Sequence, residues 1–453
     1  MEQSLMQVFT EGIVRFNAVL WGAPMLALIV GISLYFTWKL NFIQKHLFHS
    51  ISLSVKKSKS AGAISSFGAL VIALAAMVGT GNIVGVAAAV STGGPGALFW
   101  MMFSAFFAMA TKYAESVLAV KYREQNAAGE YVGGPMYVLK NGLNMKKTAA
   151  VFAVATALMG FADALIQTNS LVDIYGSVFN APPVWTTAVL VVLTACVILG
   201  GVRKIAAFCK WLVPFMAVLY ILLCAAVIVT NLEKLPEALA CIFKSAFTGT
   251  AVLGGAVGVT IKEAVRYGVS RGVLSNEAGS GSGAIAAAAA KTPNSVRQGL
   301  ISATTVFWDT LVICLLSGVA VVIAGDWRGG TLFGAQLAES AFSSLPGGSF
   351  FLLASLSLFA FSTLVGWSYY TAKSVQFCLG VNVEKPVYLL WLAMMCLGGF
   401  LSPKLVWELA DTAIAVMCVP NILALWLLRK DVFAETKAYL AGELAARRGA
   451  AEN

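Results

Sequence analysis

A cluster of glycines lies inside one long apolar stretch of this 453-residue chain. Residues 79–85 read GTGNIVG, one residue away from the G-x-G-x-x-G spacing that cradles dinucleotide phosphates. That motif needs a strand and a soluble helix around it, and an acidic residue about 20 positions later. Here the flanking sequence ALVIALAAMVGTGNIVGVAAAV carries no charge, and no acid follows at that distance. The context argues against a nucleotide site and leaves two alternatives, a closely packed membrane helix or an unwound one.

Polar side chains within apolar segments form a second group that could do chemistry. The stretch FADALIQTNSLVD places Asp163, Gln167 and Ser170 at i, i+4 and i+7, on one helix face. Asp309 lies in a similar position within VFWDTLVICLL. Ionisable groups inside a membrane are costly and often functional. We therefore expect each carboxylate to meet a bound cation or an ammonium group, or to hold a proton.

Hydroxyl and aromatic side chains occur at comparable depth in FAFSTLVGWSYYTAKS, which contains Ser362, Thr363 and Trp367. Serine and threonine often bond back to their own helix, and a tryptophan there can simply pack in the core. A glutamine such as Gln167 can also join two helices. For these side chains the sequence leaves the structural and the functional interpretations open.

Residues for enzymatic or metal chemistry are sparse. Both histidines, His46 and His49, lie in one basic loop, and the eight cysteines are scattered without a C-x-x-C pair. No H-E-x-x-H motif occurs. We therefore predict neither enzyme activity nor an organic cofactor nor a disulfide framework.

The elements that must position these residues are membrane helices. The chain is 59% hydrophobic and 11% charged, whereas soluble domains carry roughly 25% charged residues. This composition predicts an all-α polytopic membrane protein that forms a single domain over residues 1–453. A span needs about 20 apolar residues. Eleven segments qualify, at 17–38, 63–92, 95–120, 148–178, 184–201, 211–230, 249–268, 297–324, 350–376, 386–402 and 405–428.

The distribution of basic residues predicts the orientation. When the spans are taken in order, 26 of the 31 Lys and Arg fall on alternate loops, which matches the positive-inside rule. The N-terminus is then outside, and residues 429–453 form a cytoplasmic tail in the cell (inner or plasma) membrane. The net charge of +10 is thus a signal of topology, and we predict no nucleic-acid partner. The inner set includes Lys112, Lys373, Lys262, Arg266 and Arg271.

Glycine-interrupted helices at matching positions indicate an internal repeat. The segment GTAVLGGAVGVTIKEAVRYG contains Gly254, Gly255 and Gly258. With 17–38 set aside as an extra N-terminal helix, the glycines at 79–85 fall in the first of ten spans and these in the sixth. This pattern predicts two inverted five-helix halves, at 63–230 and 249–428, each with a broken helix. The run GSGSGA at 279–284 is expected to be a flexible connection or gate on the inner face.

Long motifs in the chain resemble the alanine or glycine:cation symporter family, also described as sodium:alanine symporters. The likeness covers essentially the whole chain in order. It rests on GTGNIVGVA, GGPGALFWMMFSAFFAMATKYAESVLAVKYR, GGPMY, RGVLSNEAGSGSGAIAAAAAKTPNSVRQGL, GWSYY and the ADT…PN pattern at 410–421. The resemblance implies the leucine-transporter-type fold and Na⁺-coupled uptake of a small neutral amino acid across the lipid bilayer by alternating access.

The resemblance also implies roles for individual residues. The substrate would be held by the unwound GTGN segment and by side chains and glycines around it, namely Gly79, Thr80, Gly81, Asn82, Gln167, Gly254, Gly255 and Trp367. Na⁺, the co-transported ion, would bind the backbone carbonyls of Ala75 and Val78 and the hydroxyls of Ser362 and Thr363. We add Asp163 to the substrate set, either as a contact of the ammonium group or as a group that titrates.

This chain departs from the family pattern around the expected pocket. Asp163 and Ala164 stand where a glycine–asparagine pair is usual, and Ser280 follows SNEAG in place of leucine. These changes leave the fold unaffected and concern the substrate. The alternative prediction is therefore the same fold with proton coupling, or with a larger or differently charged amino acid.

Overall fold

The structure is a computed structural model that describes residues 11–451 except 18, 57, 249–259, 329–331 and 401–402. Helices make up most of the described chain, and its strands are only two residues long. Gly254 and Gly255 lie outside the described residues.

The part of the chain before the first gap of more than one residue contains the following elements: α1 Ala23–Lys39, α2 Leu47–Val55, β1 Ile64–Ser65, α3 Ser66–Met77, α4 Val84–Gly93, α5 Gly96–Lys121, β2 Glu124–Gln125, β3 Tyr131–Val132, α6 Pro135–Tyr137, α7 Lys146–Phe179, α8 Pro183–Ile198, α9 Gly201–Thr230 and α10 Leu235–Thr248. Single 3₁₀ turns lie at Ile43–His46, Thr80–Asn82 and Leu232–Lys234, and a π-helical turn at Val138–Gly142.

The remainder contains α11 Ile261–Asn276, α12 Gly283–Ala288, β4 Ala290–Lys291, α13 Ser295–Val306, α14 Leu315–Ala324, α15 Ala335–Phe342, α16 Gly348–Leu379, α17 Glu384–Gly398, α18 Pro403–Leu427 and α19 Arg429–Ala451. A π-helical segment at Phe307–Cys314 joins α13 to α14, and a 3₁₀ turn at Val381–Val383 precedes α17.

Within the described residues, six stretches of helix are long and apolar enough to cross a membrane, or eight if each of two sharply bent pairs counts as one span. α8 and α17 have only 16 and 15 residues, fewer than the roughly 20 that a perpendicular span needs. The prediction of a mostly helical, multi-pass membrane protein is confirmed. The total of eleven spans stays a prediction.

The first broken helix lies where the glycine cluster predicts it. α3 and α4 belong to one apolar stretch that bends by 66° through the turn at Thr80–Asn82. α3 begins at a capped position, because the Ser65 hydroxyl accepts a hydrogen bond from the Gly68 amide at 3.0 Å. This broken helix is central: α3 packs on α9 and α16, while α4 packs on α11 and α14.

A second break separates α11 from α12. Glu277, Gly279 and Gly281 all have positive φ values, of 54°, 99° and 78°, which ends the helix and favours glycine. A Cβ at Gly281 would also collide with Pro135 and lie 2.7 Å from the Asn421 Oδ1. The run GSGSGA at 279–284 overlaps this break and is buried, so it is not a solvated loop. Its predicted role as a flexible connection or gate on the inner face stays a prediction.

α11 packs along α5 and runs in the same direction. Gly268 lies against Trp100 near the start of α5, and the Asn276 carbonyl accepts a hydrogen bond from Lys112 further along. Charged residues on this half-polar helix interrupt the apolar run by which spans were predicted. The predicted span at 249–268 therefore ends before the observed helix does. Because of the direction of α11, Lys262, Arg266 and Arg271 lie toward the start of α5, whereas Lys121 lies at its end. This corrects their predicted assignment to the same side of the membrane as Lys121.

Two lysines that were assigned to loops lie inside helices and are buried. Lys112 in α5 is 1% exposed and donates to the carbonyls of Asn276 and Glu277. Lys373 in α16 is 4% exposed and forms salt bridges with Glu130 and Glu384 at 3.0 and 3.3 Å. Buried charges are tolerated when they are paired in this way. Neither lysine contributes to the loop charge that orients the protein.

Candidate functional site

A central cavity opens beside the break between α3 and α4. Its walls come from the break and from α7, α11, α16 and α18. The space that the centre of a water molecule can reach is ≈ 80 Å³, and one water needs about 10–15 Å³ on this measure. The cavity therefore suits a small solute. The predicted residues on its walls are Gly79, Gly81, Asn82, Asp163, Gln167, Thr363 and Trp367.

The Asn82 side chain holds the turn of the broken helix in shape. Its Oδ1 accepts a hydrogen bond from the Gly79 amide at 2.9 Å. Its Nδ2 donates to Asp309 Oδ1 at 2.7 Å and to the Ser275 hydroxyl at 3.1 Å. Ser275 and Thr310 donate to the other oxygen of Asp309, each at 2.7 Å. Asp309 is thus a buried anchor that ties the first broken helix to α11.

A chain of three polar side chains links the same turn to α7. The Thr80 hydroxyl donates to Gln167 Oε1 at 3.2 Å, and Gln167 Nε2 donates to Asp163 Oδ1 at 3.0 Å. Asp163 and Gln167 are one helical turn apart, as their spacing predicts. The second carboxylate oxygen, Asp163 Oδ2, is buried and has no hydrogen-bond partner among the described residues. Because a buried unpaired oxygen is costly, this atom is suited to a donor from a ligand.

Oxygen atoms converge where α3 ends. The hydroxyls of Ser362 and Thr363 lie 3.3 and 3.2 Å from the Val78 carbonyl oxygen. Both hydroxyls also donate to the Phe359 carbonyl of their own helix, at 2.8 and 3.0 Å. Carbonyls at a helix end lack intrahelical partners and coordinate cations in broken membrane helices. Ala75, on the same last turn of α3, is fully buried.

Three charged residues on the cavity wall were not predicted as site residues. Glu277 is 4% exposed and accepts a hydrogen bond from Ser282, while Arg271 and Asp411 both line the mouth. Glu277 lies in the quoted motif SNEAG, and Asp411 in ADT. The two motifs therefore contained Glu277 and Asp411. The predicted span boundaries, however, placed Glu277 and Arg271 in a loop on the inner side.

The cavity is open at one end and closed at the other. At its mouth it continues into a vestibule of ≈ 180 Å³, whose lining includes Asn17, Trp21, Arg271, Glu408 and Asp411. Trp21 donates to the Asp411 carbonyl at 3.0 Å, and Asn17 donates to Glu408 Oε2 at 2.7 Å. The segment that carries Asn17 and Trp21 thus meets α18 at this entrance.

The opposite end is closed by contacts between the two broken helices and their neighbours. Glu115 Oε1 accepts hydrogen bonds from the Gly279 amide at 2.7 Å and from Asn421 at 2.8 Å. β1 and β4 pair in parallel with Ile64 opposite Ala290, so the start of α3 is tied to the chain that follows α12. Among the described residues, these contacts obstruct the end of the cavity opposite the vestibule.

Two glycines in the break give contrasting mutational predictions. A Cβ at Gly79 would lie 2.7 Å from the Thr363 hydroxyl, whereas a Cβ at Gly81 would meet nothing within 4 Å. We expect Gly79→Ala to destabilise the protein by about 1–3 kcal/mol through overpacking, and Gly81→Ala to change stability by less than about 0.5 kcal/mol. Thermal unfolding of the two purified variants measures the difference. Equal losses in both would contradict the described geometry.

Comparison with known proteins agrees with this architecture. The sequence profile of the sodium:alanine symporter family matches residues 6–451. The chain is 43% identical to the sodium/alanine symporter AgcS of Methanococcus maripaludis, over 93% of this chain and 95% of that one. It is 36% identical to the probable sodium/glutamine symporter GlnT of Bacillus subtilis, over 96% of this chain and 91% of that one.

The fold is similar to that of solved transporters of the leucine-transporter type. The crystal structure of MhsT in complex with L-phenylalanine superposes with a TM-score of 0.60, at 15% identity, over 84% of this chain and 93% of that chain. With the family match over nearly the whole chain, these findings identify a membrane transporter and not an enzyme. The chain belongs to the sodium:alanine symporter family.

Proposed function

We propose that this protein is a secondary active symporter that couples inward Na⁺ flow to the uptake of a small neutral amino acid such as alanine or glycine. The observation that supports this proposal most directly is the position of the oxygen cluster at Val78, Ser362 and Thr363. It lies beside a small cavity, and Thr363 belongs to both. An ion and a solute bound there would affect each other through shared residues.

The cavity offers complementary groups to the two charged ends of an amino acid. Thr80 and Gly81 lie in the 3₁₀ turn at the break between α3 and α4, and amides at such a break lack intrahelical partners and favour an anion such as a carboxylate. The buried Oδ2 of Asp163 lies on the other wall and suits an ammonium group. Trp367 and the small volume limit the side chain of the substrate. Gly254 and Gly255 remain part of the proposed substrate-binding set.

The proposed Na⁺ ligands are the backbone carbonyls of Ala75 and Val78 with the hydroxyls of Ser362 and Thr363. An all-oxygen set suits a hard cation. Na⁺ bound there would join α3 to α16 in place of the present hydroxyl–carbonyl hydrogen bonds. Gly79, whose Cα faces Thr363, connects this joint to the turn that receives the substrate.

Transport would proceed by alternating access between the two proposed five-helix halves, 63–230 and 249–428. With the N-terminus outside and the C-terminus in the cytoplasm, the vestibule faces outward and the contacts of Glu115 with Gly279 and Asn421 close the inner side. Na⁺ and substrate can shift this equilibrium only through different affinities for the two states. We propose that Na⁺ favours the outward-open state and that substrate then permits closure.

Proton coupling is the second candidate, and the unpartnered Asp163 Oδ2 favours it. A carboxylic acid at this position could carry a proton inward with the substrate. The similarity to GlnT, a probable sodium/glutamine symporter, raises a different alternative, namely a larger neutral amino acid than alanine.

Ligand-dependent thermal stability of the purified protein tests the proposal. A ligand that binds only the folded state raises apparent stability by mass action, by about 2.7 kcal/mol at a hundred times its dissociation constant. We expect alanine or glycine to stabilise the protein strongly in NaCl and weakly in choline chloride. Absence of a shift with every amino acid tried, in both salts, would contradict the proposed function.

A further inference from the structure

A larger cavity lies beyond the closed end of the central cavity, between the start of α3, the end of α2 and the first turns of α9. We call it the basic cavity. The space within it that the centre of a water molecule can reach is ≈ 550 Å³, larger than in the central cavity. No acidic residue is among its described lining residues. Four basic side chains line it, namely Lys56, Arg203, Lys210 and Lys291.

The four cations have little compensating charge. None of them forms a salt bridge within the described ranges, where the salt bridges involve other basic residues, namely Lys121, Lys140, Arg328 and Lys373. Glu130 interacts electrostatically with Arg203, but its close partner is Lys373 at 3.0 Å. Like charges held around one space repel each other, and an anion between them relieves that repulsion. The electrostatics of the basic cavity therefore favour an anionic ligand.

The backbone adds donors to the same space. Ser65, Ser66 and Phe67, at the start of the 12-residue helix α3, line the basic cavity. A helix start carries partial positive charge and unpaired amides, which favours phosphate groups. The Ser66 hydroxyl donates to the Lys291 carbonyl at 3.1 Å, so the wall that carries the Lys291 side chain is fixed to this helix start. Guanidinium and ammonium groups with helix amides are the donors that phosphate recognition uses.

Apolar side chains at the rim indicate where the rest of the ligand would lie. Val55 lines the cavity and is strongly exposed. Trp211 directly follows Lys210 on α9, is 77% exposed, and stacks with exposed Phe215 at a ring distance of 6.2 Å. Exposed aromatic rings of this kind are enriched where a membrane protein meets the lipid headgroups. Inorganic phosphate would gain nothing from this surface, whereas a lipid would place its acyl chains against it.

We propose that the basic cavity binds the phosphate-bearing headgroup of an anionic membrane lipid, with its acyl chains along the exposed face of α9. Basic pockets between membrane helices bind such headgroups in other proteins. The bound headgroup would bridge the start of the first broken helix and α9. This site is separate from the central cavity and does not depend on the identity of the transported solute.

Lipid binding by the full-length purified protein tests this proposal. The probes are phosphatidylglycerol, phosphatidylcholine and inorganic phosphate, and the readouts are lipid adducts in native mass spectrometry and the shift in melting temperature. We expect phosphatidylglycerol to bind and stabilise the protein well above the other two probes. Each basic residue near a lipid surface contributes about 1 kcal/mol, so the double variant Arg203→Gln/Lys210→Gln should bind phosphatidylglycerol on the order of 25-fold more weakly.

The matched control is Lys146→Gln/Lys147→Gln, which removes the same charge from exposed positions outside the basic cavity. It should bind phosphatidylglycerol like the unmodified protein, and Lys210→Arg should do so too because it keeps the charge. Equal stabilisation by phosphatidylcholine would overturn the proposal. Equal stabilisation by inorganic phosphate would replace the lipid with a free anion and overturn it as well, as would an equal loss of binding in the control.

Discussion

Replacing Asp163 by asparagine is expected to abolish either concentrative uptake or its pH dependence while leaving the fold intact. Asparagine has the same shape, and its Oδ1 can still accept the hydrogen bond that Gln167 Nε2 now donates to Asp163 at 3.0 Å. What is lost is the negative charge at the unpartnered oxygen on the cavity wall. Removing one partner of a buried charge pair costs about 2–5 kcal/mol, so substrate affinity should fall roughly 30-fold or more.

The measurement is uptake of radiolabelled alanine and glycine over a range of pH, together with the ligand-dependent melting temperature. Asp173→Asn is the control, because it makes the same change on α7 at an exposed position. If Asp163 contacts the ammonium group, Asp163→Asn should lose substrate-dependent stabilisation at every pH. If Asp163 carries a proton, the variant should bind substrate but lose the pH dependence of uptake. Uptake equal to that of the unmodified protein at every pH would dismiss both roles.

Removing the α16 hydroxyls that face the end of α3 is expected to weaken Na⁺ binding. Thr363→Val keeps the side-chain shape, and Ser362→Ala removes a single oxygen from the cluster around the Val78 carbonyl. A hydrogen-bonding or ligating interaction with a charged group is worth about 1.5–3 kcal/mol. Each variant should therefore need a Na⁺ concentration at least roughly tenfold higher than the unmodified protein needs to reach half of the Na⁺-dependent stabilisation.

Two residues on the same helix serve as matched controls for this experiment. Ser368 and Thr371 donate only to carbonyls of their own helix, at Val365 and Trp367. Ser368→Ala and Thr371→Val should retain the Na⁺ dependence of the melting temperature. A Na⁺ response that is unchanged in Thr363→Val and Ser362→Ala would place the ion elsewhere, and the proposed coupling through Thr363 would then be wrong.

The first broken helix and much of the central cavity were predictable because their signals are local. Three glycines in an uncharged stretch identify the break at 79–85, and the spacing of Asp163 and Gln167 puts both on one face of α7. The hydrogen bond between those two side chains and its continuation to Thr80 follow that expectation. Such features depend on residues within a few helical turns.

The break between α11 and α12 was missed because its charged neighbours bind backbone groups that are far away in the sequence. Lys112 contacts the carbonyls of Asn276 and Glu277, while Glu115 binds the Gly279 amide. Read along the sequence, these residues resemble loop charges. They become interior residues only through long-range packing between α5 and the end of α11. A search for apolar segments cannot detect contacts between residues more than 160 positions apart.

The central claim is that a Na⁺ gradient drives accumulation of a small neutral amino acid through this protein. The most direct measurement is uptake of radiolabelled alanine and glycine into proteoliposomes with Na⁺ outside and choline inside. We predict accumulation of at least one of them above the external concentration, which an ionophore that dissipates the Na⁺ gradient abolishes. Uptake that only equilibrates, or that accumulates equally with a proton gradient in the absence of Na⁺, would contradict the account.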